Sequence, residues 1–199
     1  KKFRKSDDYT PGGKNNKRPD RATIVYTNLI KQNFKATSPI VLGGIEASLR
    51  RIAHYDFWDN EIRRSVLFDA KADYLIYGMA DRTILDLARA LQNNRSPENI
   101  RGLCYISSQP KYEYIPLPSY DDVVHNDQNF IAMFDTFYKN SDPVNAHGLY
   151  QKMDTRYLIQ NPPAYHLDSK ELDQIYKLYF EHQQHPYYRK MGKVRALDT

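Results

Sequence analysis

A group of polar and charged side chains follows a short apolar run in the stretch PIVLGGIEASLRRIAHYDFW, residues 39–58. Arginine side chains can hold carboxylates in bidentate geometry, and a histidine near an aspartate can act as an acid or a base. No nucleophile of recognised role and no set of metal ligands accompanies them. We therefore predict a surface that contacts a substrate or another domain, with no catalytic and no metal-binding residues. Its residues are Gly43, Gly44, Glu46, Ser48, Arg50, Arg51, His54 and Asp56.

The spacing within this stretch leaves alternatives open. On a helix, Arg50 and His54 would share one face because they are four residues apart, while Arg51 would point elsewhere. The glycine pair lacks the G-x-G-x-x-G spacing of a dinucleotide site, although a helix after it would offer free N–H groups to a phosphate or carboxylate. Glu46 already supplies a carboxylate in that first turn. An ion-pair cluster that braces a domain interface is therefore the alternative to substrate binding.

Apolar runs predict three strands that would position this group, at residues 40–42, 73–77 and 102–107. Apolar residues at helical spacing separate the strands, first across residues 45–67 and then after Asp81, which can cap a helix. Alternation of strands with helices is typical of a parallel sheet.

The predicted sheet also indicates where a ligand or partner would bind. In open α/β sheets, ligands bind beyond the carboxyl ends of the strands. Gly43, Gly78 and Ser107 follow or close the three predicted strands, so we expect them to lie together at one edge. The polar group after Gly43 would then face whatever binds at that edge.

The chain as a whole is predicted to be an α/β protein with an open, mainly parallel, Rossmann-like sheet and flanking helices, incomplete at its N-terminal side. An irregular α+β extension would follow, with helices near residues 129–138 and after Asp168. The predicted segments are a basic loop at 1–18, the α/β sheet domain at 19–109, the α+β extension at 110–184 and a basic linker at 185–199.

Composition limits the classes of protein that need to be considered. The chain is 41% hydrophobic and 27% charged, with a formal net charge of +5. No apolar run approaches the ~18 residues of a membrane span and no signal segment is present, so a cytoplasmic protein without a membrane partner is expected. Cys104 is the only cysteine, which excludes an intrachain disulfide and a cysteine-ligated cluster from this chain alone. Both ends are expected to be cuts in a longer protein.

An RNA-binding module is the alternative function. The chain contains 17 tyrosines together with its basic surplus, and aromatic rings can stack on bases while cations neutralise phosphates. These residues are spread through the chain and form no recognisable RNA-binding motif. RNA is therefore the weaker candidate partner.

Six stretches together resemble the N-terminal region of the YgiQ-type radical SAM proteins, in order and in spacing. They are SDDYTPGG (6–13), RPDRATIVYTNLI (18–30), PIVLGGIEASLRRIAHYDFW (39–58), RRSVLFDAKADYLIYGMAD (63–81), PLPSYDDV (116–123) and QNPPA (160–164). The resemblance covers nearly the whole chain.

The resemblance implies a parent protein that continues into a radical SAM barrel. A CxxxCxxC loop in that barrel would bind a [4Fe–4S] cluster that cleaves S-adenosylmethionine, so both cofactors would belong to the parent and neither to this segment. The fold implied is an open sheet like the cobalamin-binding domains that precede many such barrels. Cobalamin itself is disfavoured because no histidine stands in a D-x-H-x-x-G pattern. The segment would be a non-catalytic accessory domain that covers the barrel of the same chain or contributes to binding an unknown substrate.

Overall fold

The computed structural model describes residues 5–15, 17–181 and 183–198. The chain forms two compact units: Thr23–His166, and the terminal segments Lys1–Ala22 and Leu167–Thr199 together. The division into four segments that was predicted from the sequence stays a prediction.

The bounds of the regular elements are as follows. The helices are α1 (Ala22–Asn33), α2 (Gly44–Leu49), α3 (Val66–Ala70), α4 (Asp81–Gln92), α5 (Tyr120–His125), α6 (Asp127–Lys139) and α7 (Ser169–Tyr176). The strands are β1 (Val41–Leu42), β2 (His54–Asp56), β3 (Glu61–Arg63), β4 (Tyr74–Ile76), β5 (Leu103–Ser107), β6 (Ile115–Leu117), β7 (Leu149–Met153) and β8 (Arg156–Gln160). Short 3₁₀ turns occur at Pro11–Gly13, Pro186–Met191 and Arg195–Leu197.

Among the described residues, six strands form one open sheet in the order β1-β4-β5-β8-β7-β6. The predicted α/β class, with an open sheet and flanking helices, is confirmed. Its strand directions are more mixed than the sequence suggested. The pairs β1–β4 and β6–β7 are parallel. The pairs β4–β5, β5–β8 and β8–β7 are antiparallel.

The prediction that the third strand runs parallel to the first two was wrong. β5 is antiparallel to β4, with Leu103 opposite Ile76. After α4, the chain follows an irregular link over residues 93–102 that returns to the edge where β4 ends, and the Tyr77 N–H donates to the Gly102 carbonyl there (3.0 Å). Ten residues can span far more than one strand length, and an unpatterned link leaves the direction of the next strand open. Ser107 therefore lies at the opposite edge from Gly78.

The helical spacing predicted across residues 45–67 also needs correction. α2 ends at Leu49, and a two-stranded hairpin of β2 and β3 follows it. Asn60 has φ +56° in the connecting turn, a conformation that asparagine tolerates better than most residues. The turn and the aromatic residues around it favour a hairpin over a second helical segment.

The core has two layers because side chains alternate across the sheet. One face packs against α2, α3, α5 and α6, and the other packs against α4. The first face carries Leu42, Leu75, Cys104 and Leu158, and the second carries Ile76, Leu103, Tyr105 and Ile159. No helix in the described parts of the chain combines the length and apolarity that crossing a membrane requires.

The unit of terminal segments is held together by backbone contacts between its two ends. The Gly12 N–H donates to the Lys193 carbonyl (2.9 Å), and the Ala196 N–H donates to the Asp8 carbonyl (3.0 Å). A side chain at Gly192 would lie 2.8 Å from the Gly12 Cα, so glycine is needed for this close approach.

Candidate functional site

The carboxyl ends of β1, β4 and β8 lie at one edge of the sheet, where the predicted polar group begins. β8 has the same direction as β4 because both are antiparallel to β5. Gly43 and Gly78 follow β1 and β4, so both lie at this edge as predicted. Gln160, the last residue of β8, occupies the place that was expected for Ser107.

The turn into α2 depends on its glycines and on one serine. Gly44 has φ +83°, which disfavours any side chain, and a Cβ on Gly43 would lie 3.4 Å from Ile76. The Ser48 hydroxyl donates to the Gly44 carbonyl (2.9 Å), and its oxygen accepts the Gly78 N–H (3.2 Å). Ser48 therefore joins the turn after β1 to the turn after β4.

A charged network holds α2 to the β2–β3 hairpin. Arg50 donates from Nη1 to the Glu46 carboxylate and from Nη2 to the Asp56 carboxylate, both at 3.1 Å. Asp56 is 2% exposed, and Arg63 Nε lies 4.0 Å from the same carboxylate oxygen, Oδ2, that Arg50 contacts. The second Glu46 oxygen accepts the Thr23 hydroxyl (2.9 Å). The buried carboxylate is therefore compensated by two guanidinium groups, as burial of a charge requires.

Arg51 lies inside the fold rather than in this network. Its guanidinium is placed between the rings of Tyr77 and Phe137, 4.3 Å from each ring centre. Nε donates to the Gln160 amide oxygen (3.0 Å), and Nη1 donates to the Ser48 carbonyl. Burial lowers the pKa of Arg51. These contacts tie the segment after α2 to the residue that follows β4, to α6 and to β8 at once.

His54 begins β2 and does not share a helical face with Arg50, because α2 has already ended; that prediction was wrong. Its Nδ1 lies 3.1 Å from the Ile52 carbonyl oxygen, which can only accept, so Nδ1 carries the hydrogen. Nε2 is buried and has no partner among the described residues. Burial, with a smaller contribution from the positive charge of Arg50, lowers the pKa of His54 below its usual value. The ring is therefore held neutral.

Large apolar side chains lie exposed beside the charged network. Ile45 is 80% exposed and Leu49 is 69% exposed, although both stand at the helical spacing of a buried face. Phe57, in the hairpin, is also exposed. The residues that the sequence predicted as one group thus divide into an outward part around α2 and an inward part around Arg51.

A protein-family model described as Radical SAM N-terminal matches residues 1–199. The chain belongs to the Radical SAM N-terminal family. The resemblance found in the sequence is thereby confirmed.

Relatives of this Radical SAM N-terminal chain are considerably longer proteins. UPF0313 proteins from Fusobacterium nucleatum, Thermotoga maritima and Clostridium botulinum are 55%, 50% and 44% identical to it over 200, 202 and 202 residues. These alignments include 100%, 100% and 99% of this chain but 35%, 35% and 32% of the relatives. The chain therefore spans about a third of the length of the relatives. No solved structure matched it.

The residues of this Radical SAM N-terminal chain do not fit an iron–sulfur cluster. Cys104 is the only cysteine and is fully buried in β5. Burial raises the pKa of its thiol to about 12, so it stays protonated and is a poor ligand. In the described parts of the chain, no three His, Cys, Asp or Glu side chains are grouped so that they could hold a metal ion.

Sequence reasoning missed several residues that complete the site. Arg63 was left out of the predicted surface, yet its Nε lies 4.0 Å from the buried Asp56. Gln160, Tyr77 and Phe137 were not connected with Arg51, from which Gln160 is separated by 109 positions. The stretch QNPPA, one of the family-like motifs, was the available signal for Gln160.

The neutral, half-buried His54 predicts a pH dependence of stability. Its folded pKa is lowered from about 6.5, so the stabilisation is complete above the unfolded pKa and is lost as the pH falls below ~6.5. We expect His54→Gln to flatten the decrease of unfolding free energy between about pH 6.5 and pH 5. Urea unfolding followed by the fluorescence of Trp58, the single tryptophan, measures this. His125→Gln, at an exposed position on α5, is the control, and an equal flattening there would contradict the assignment.

Proposed function

We propose that this chain is the accessory domain of a radical SAM enzyme, without catalytic residues of its own, and that it docks through the α2 surface onto a downstream part of the same protein. The α2 surface comprises the exposed Ile45 and Leu49, the charged Glu46 and Arg50, and the hairpin residue Phe57. The observation that carries the proposal is the exposure of Ile45 and Leu49.

The composition of the α2 surface favours a protein partner. Apolar side chains as exposed as Ile45 and Leu49 cost free energy in water unless another surface covers them. The surrounding charges are held in fixed geometry by Arg50, so they would form a polar rim around an apolar centre. Such a rim sets orientation more than affinity.

The length of the relatives supports a partner within the same protein. About two thirds of each relative lies outside the region that aligns with this chain. A domain of the same chain is present at a high effective concentration, so a modest apolar patch is enough for stable docking. Catalysis, the cluster and S-adenosylmethionine would then belong to that downstream part, and the substrate stays undetermined. The RNA-binding alternative rests on composition alone and stays a prediction.

The docking proposal predicts that the double variant Ile45→Asp/Leu49→Asp exposes the α2 surface in the full-length protein. Two carboxylates in the apolar centre would have to be desolvated on docking, which costs several kcal/mol. We expect amide hydrogen exchange in α2 and in the β2–β3 hairpin to become at least about tenfold faster than in the wild type, since ~1.4 kcal/mol of lost protection already gives that factor.

The matched control is Ile131→Asp, because Ile131 is an exposed isoleucine on α6 and lies outside the α2 surface. It should leave exchange at α2 unchanged. Unchanged exchange in the double variant as well would show that nothing covers the α2 surface, and the docking proposal would then be wrong.

A further inference from the structure

A second feature lies at the opposite edge of the sheet, where β5 ends and β4 and β8 begin. It is a cleft of about 560 Å³, within the ~300–1,000 Å³ range of small-molecule sites, and is called the β5-end cleft below. Its lining residues all belong to unit Thr23–His166 and come from α1, α3 and the turn after it, the start of β4, the link before β5, and the facing ends of β5 and β8.

Positive charge predominates in the β5-end cleft. Lys31, Lys71 and Arg156 line it, against Asp73 and Glu98. Asp73 is already neutralised, because its carboxylate accepts from Lys31 Nζ (3.1 Å) and from the Ile40 N–H (2.8 Å). Within the described residues, neither Lys71 nor Arg156 makes an ion pair with a carboxylate. Two cations are therefore available to a ligand, opposed only by Glu98.

The walls of the cleft hold these cations next to hydroxyl donors and apolar surface. The Arg156 guanidinium stacks over the Phe68 ring, 5.3 Å from its centre, which restricts its position. The Ser107 hydroxyl oxygen accepts the Gln109 N–H (3.1 Å), so its own hydrogen stays free to donate. Ser108 also lines the cleft, and Tyr105 supplies buried ring surface beside it.

We propose that the β5-end cleft binds a small phosphorylated molecule, with the phosphate held by Lys71, Arg156 and the serine hydroxyls. A phosphate offers several oxygens in different directions, which suits an ammonium, a guanidinium and two hydroxyls better than the two oxygens of a carboxylate would. The apolar surface of Phe68, Tyr105 and Ile106 would contact the rest of the molecule. This site is independent of the α2 surface and of the docking proposal.

Isothermal titration of the full-length protein with inorganic pyrophosphate at low salt tests this site. We expect saturable binding, weakened about tenfold by Lys71→Ala and by Arg156→Gln, the change that follows from losing ~1.4 kcal/mol of charge-assisted hydrogen bonding. Glu98→Gln should tighten binding, because it removes the opposing charge, and a misfolded variant could not give that result. Arg89→Gln, the same substitution on the exposed face of α4, should leave the dissociation constant unchanged.

Three results would overturn the proposal. The first is no saturable binding of pyrophosphate. The second is binding that Lys71→Ala and Arg156→Gln leave unchanged. The third is binding of a single-stranded oligonucleotide without any binding of pyrophosphate, which would indicate an extended polyanion site with steep salt dependence instead.

Discussion

Replacing Arg51 with alanine is expected to lower the free energy of unfolding by about 3 kcal/mol. The substitution removes a long side chain from between the Tyr77 and Phe137 rings and leaves a cavity there. It also leaves the buried Gln160 amide oxygen and the Ser48 carbonyl without the donor they have in the native fold. Each lost cation–π contact contributes ~0.5–2 kcal/mol, and each unsatisfied acceptor costs ~1–3 kcal/mol before the site relaxes.

Urea unfolding of the 199-residue chain, followed by Trp58 fluorescence, measures this loss. Arg89→Ala is the matched control, since Arg89 is an exposed arginine on α4 and should change stability by less than about 0.5 kcal/mol. Arg51→Met should give an intermediate loss, because methionine fills part of the space between the rings but donates no hydrogen bond. A loss below about 1 kcal/mol for Arg51→Ala would mean that the rings close over the gap and that Arg51 does not join the elements as described.

Replacing Asp56 with asparagine is expected to cost about 3 kcal/mol, although the side chain keeps its shape. Asparagine cannot neutralise Arg50, whose Nη2 lies 3.1 Å from the native carboxylate. It also removes the negative charge that lies 4.0 Å from Arg63 Nε. The native Asp56 also accepts the Trp58 N–H (3.0 Å), which orders the turn of the hairpin. Asparagine can still accept that N–H through its amide oxygen, so the hairpin should loosen because the pairing with Arg50 and Arg63 is lost.

The comparison with Asp59→Asn isolates the effect of burial. Asp59 also pairs with Arg63, at 3.5 Å, but its side chain is 48% exposed, so its pairing is screened by water. We expect a change below about 0.5 kcal/mol for Asp59→Asn in the same urea experiment. Equal losses of unfolding free energy in the two variants would show that burial of Asp56 does not strengthen its pairing with Arg50 and Arg63, and would contradict the prediction.

These two predictions also mark the limits of sequence reasoning at the site. The sequence suggested pairing between an arginine and a carboxylate within this stretch. Arg50 and Asp56, six positions apart, make such a pair in the structure. The same reasoning treated Arg51 as a member of the same surface. Arg51 instead points inward, because α2 stops at Leu49 and the chain turns, so helical spacing no longer describes residues 50–54.

Local signals predicted the elements that depend on local interactions. The apolar runs at β1 and β4 gave strands, and Asp168 caps α7 by accepting the Glu171 N–H (2.8 Å). Such features depend on a few neighbouring residues, so the sequence contains their full description. The family resemblance was likewise available from the stretches themselves, since order and spacing of motifs require no coordinates.

By itself, the sequence determined the α/β class, the family and the lack of a second cysteine with which Cys104 could form a disulfide. Only the tertiary structure decided the direction of β5, the burial of Asp56 and the position of Arg51 between α6, β4 and β8. The physical reason is the range of the interactions. The period of the apolar residues and the capping residues act within one helix or strand. Burial and hydrogen-bond partners depend instead on several elements at once. Irregular links bring these elements together, and the sequence does not predict the direction of such links.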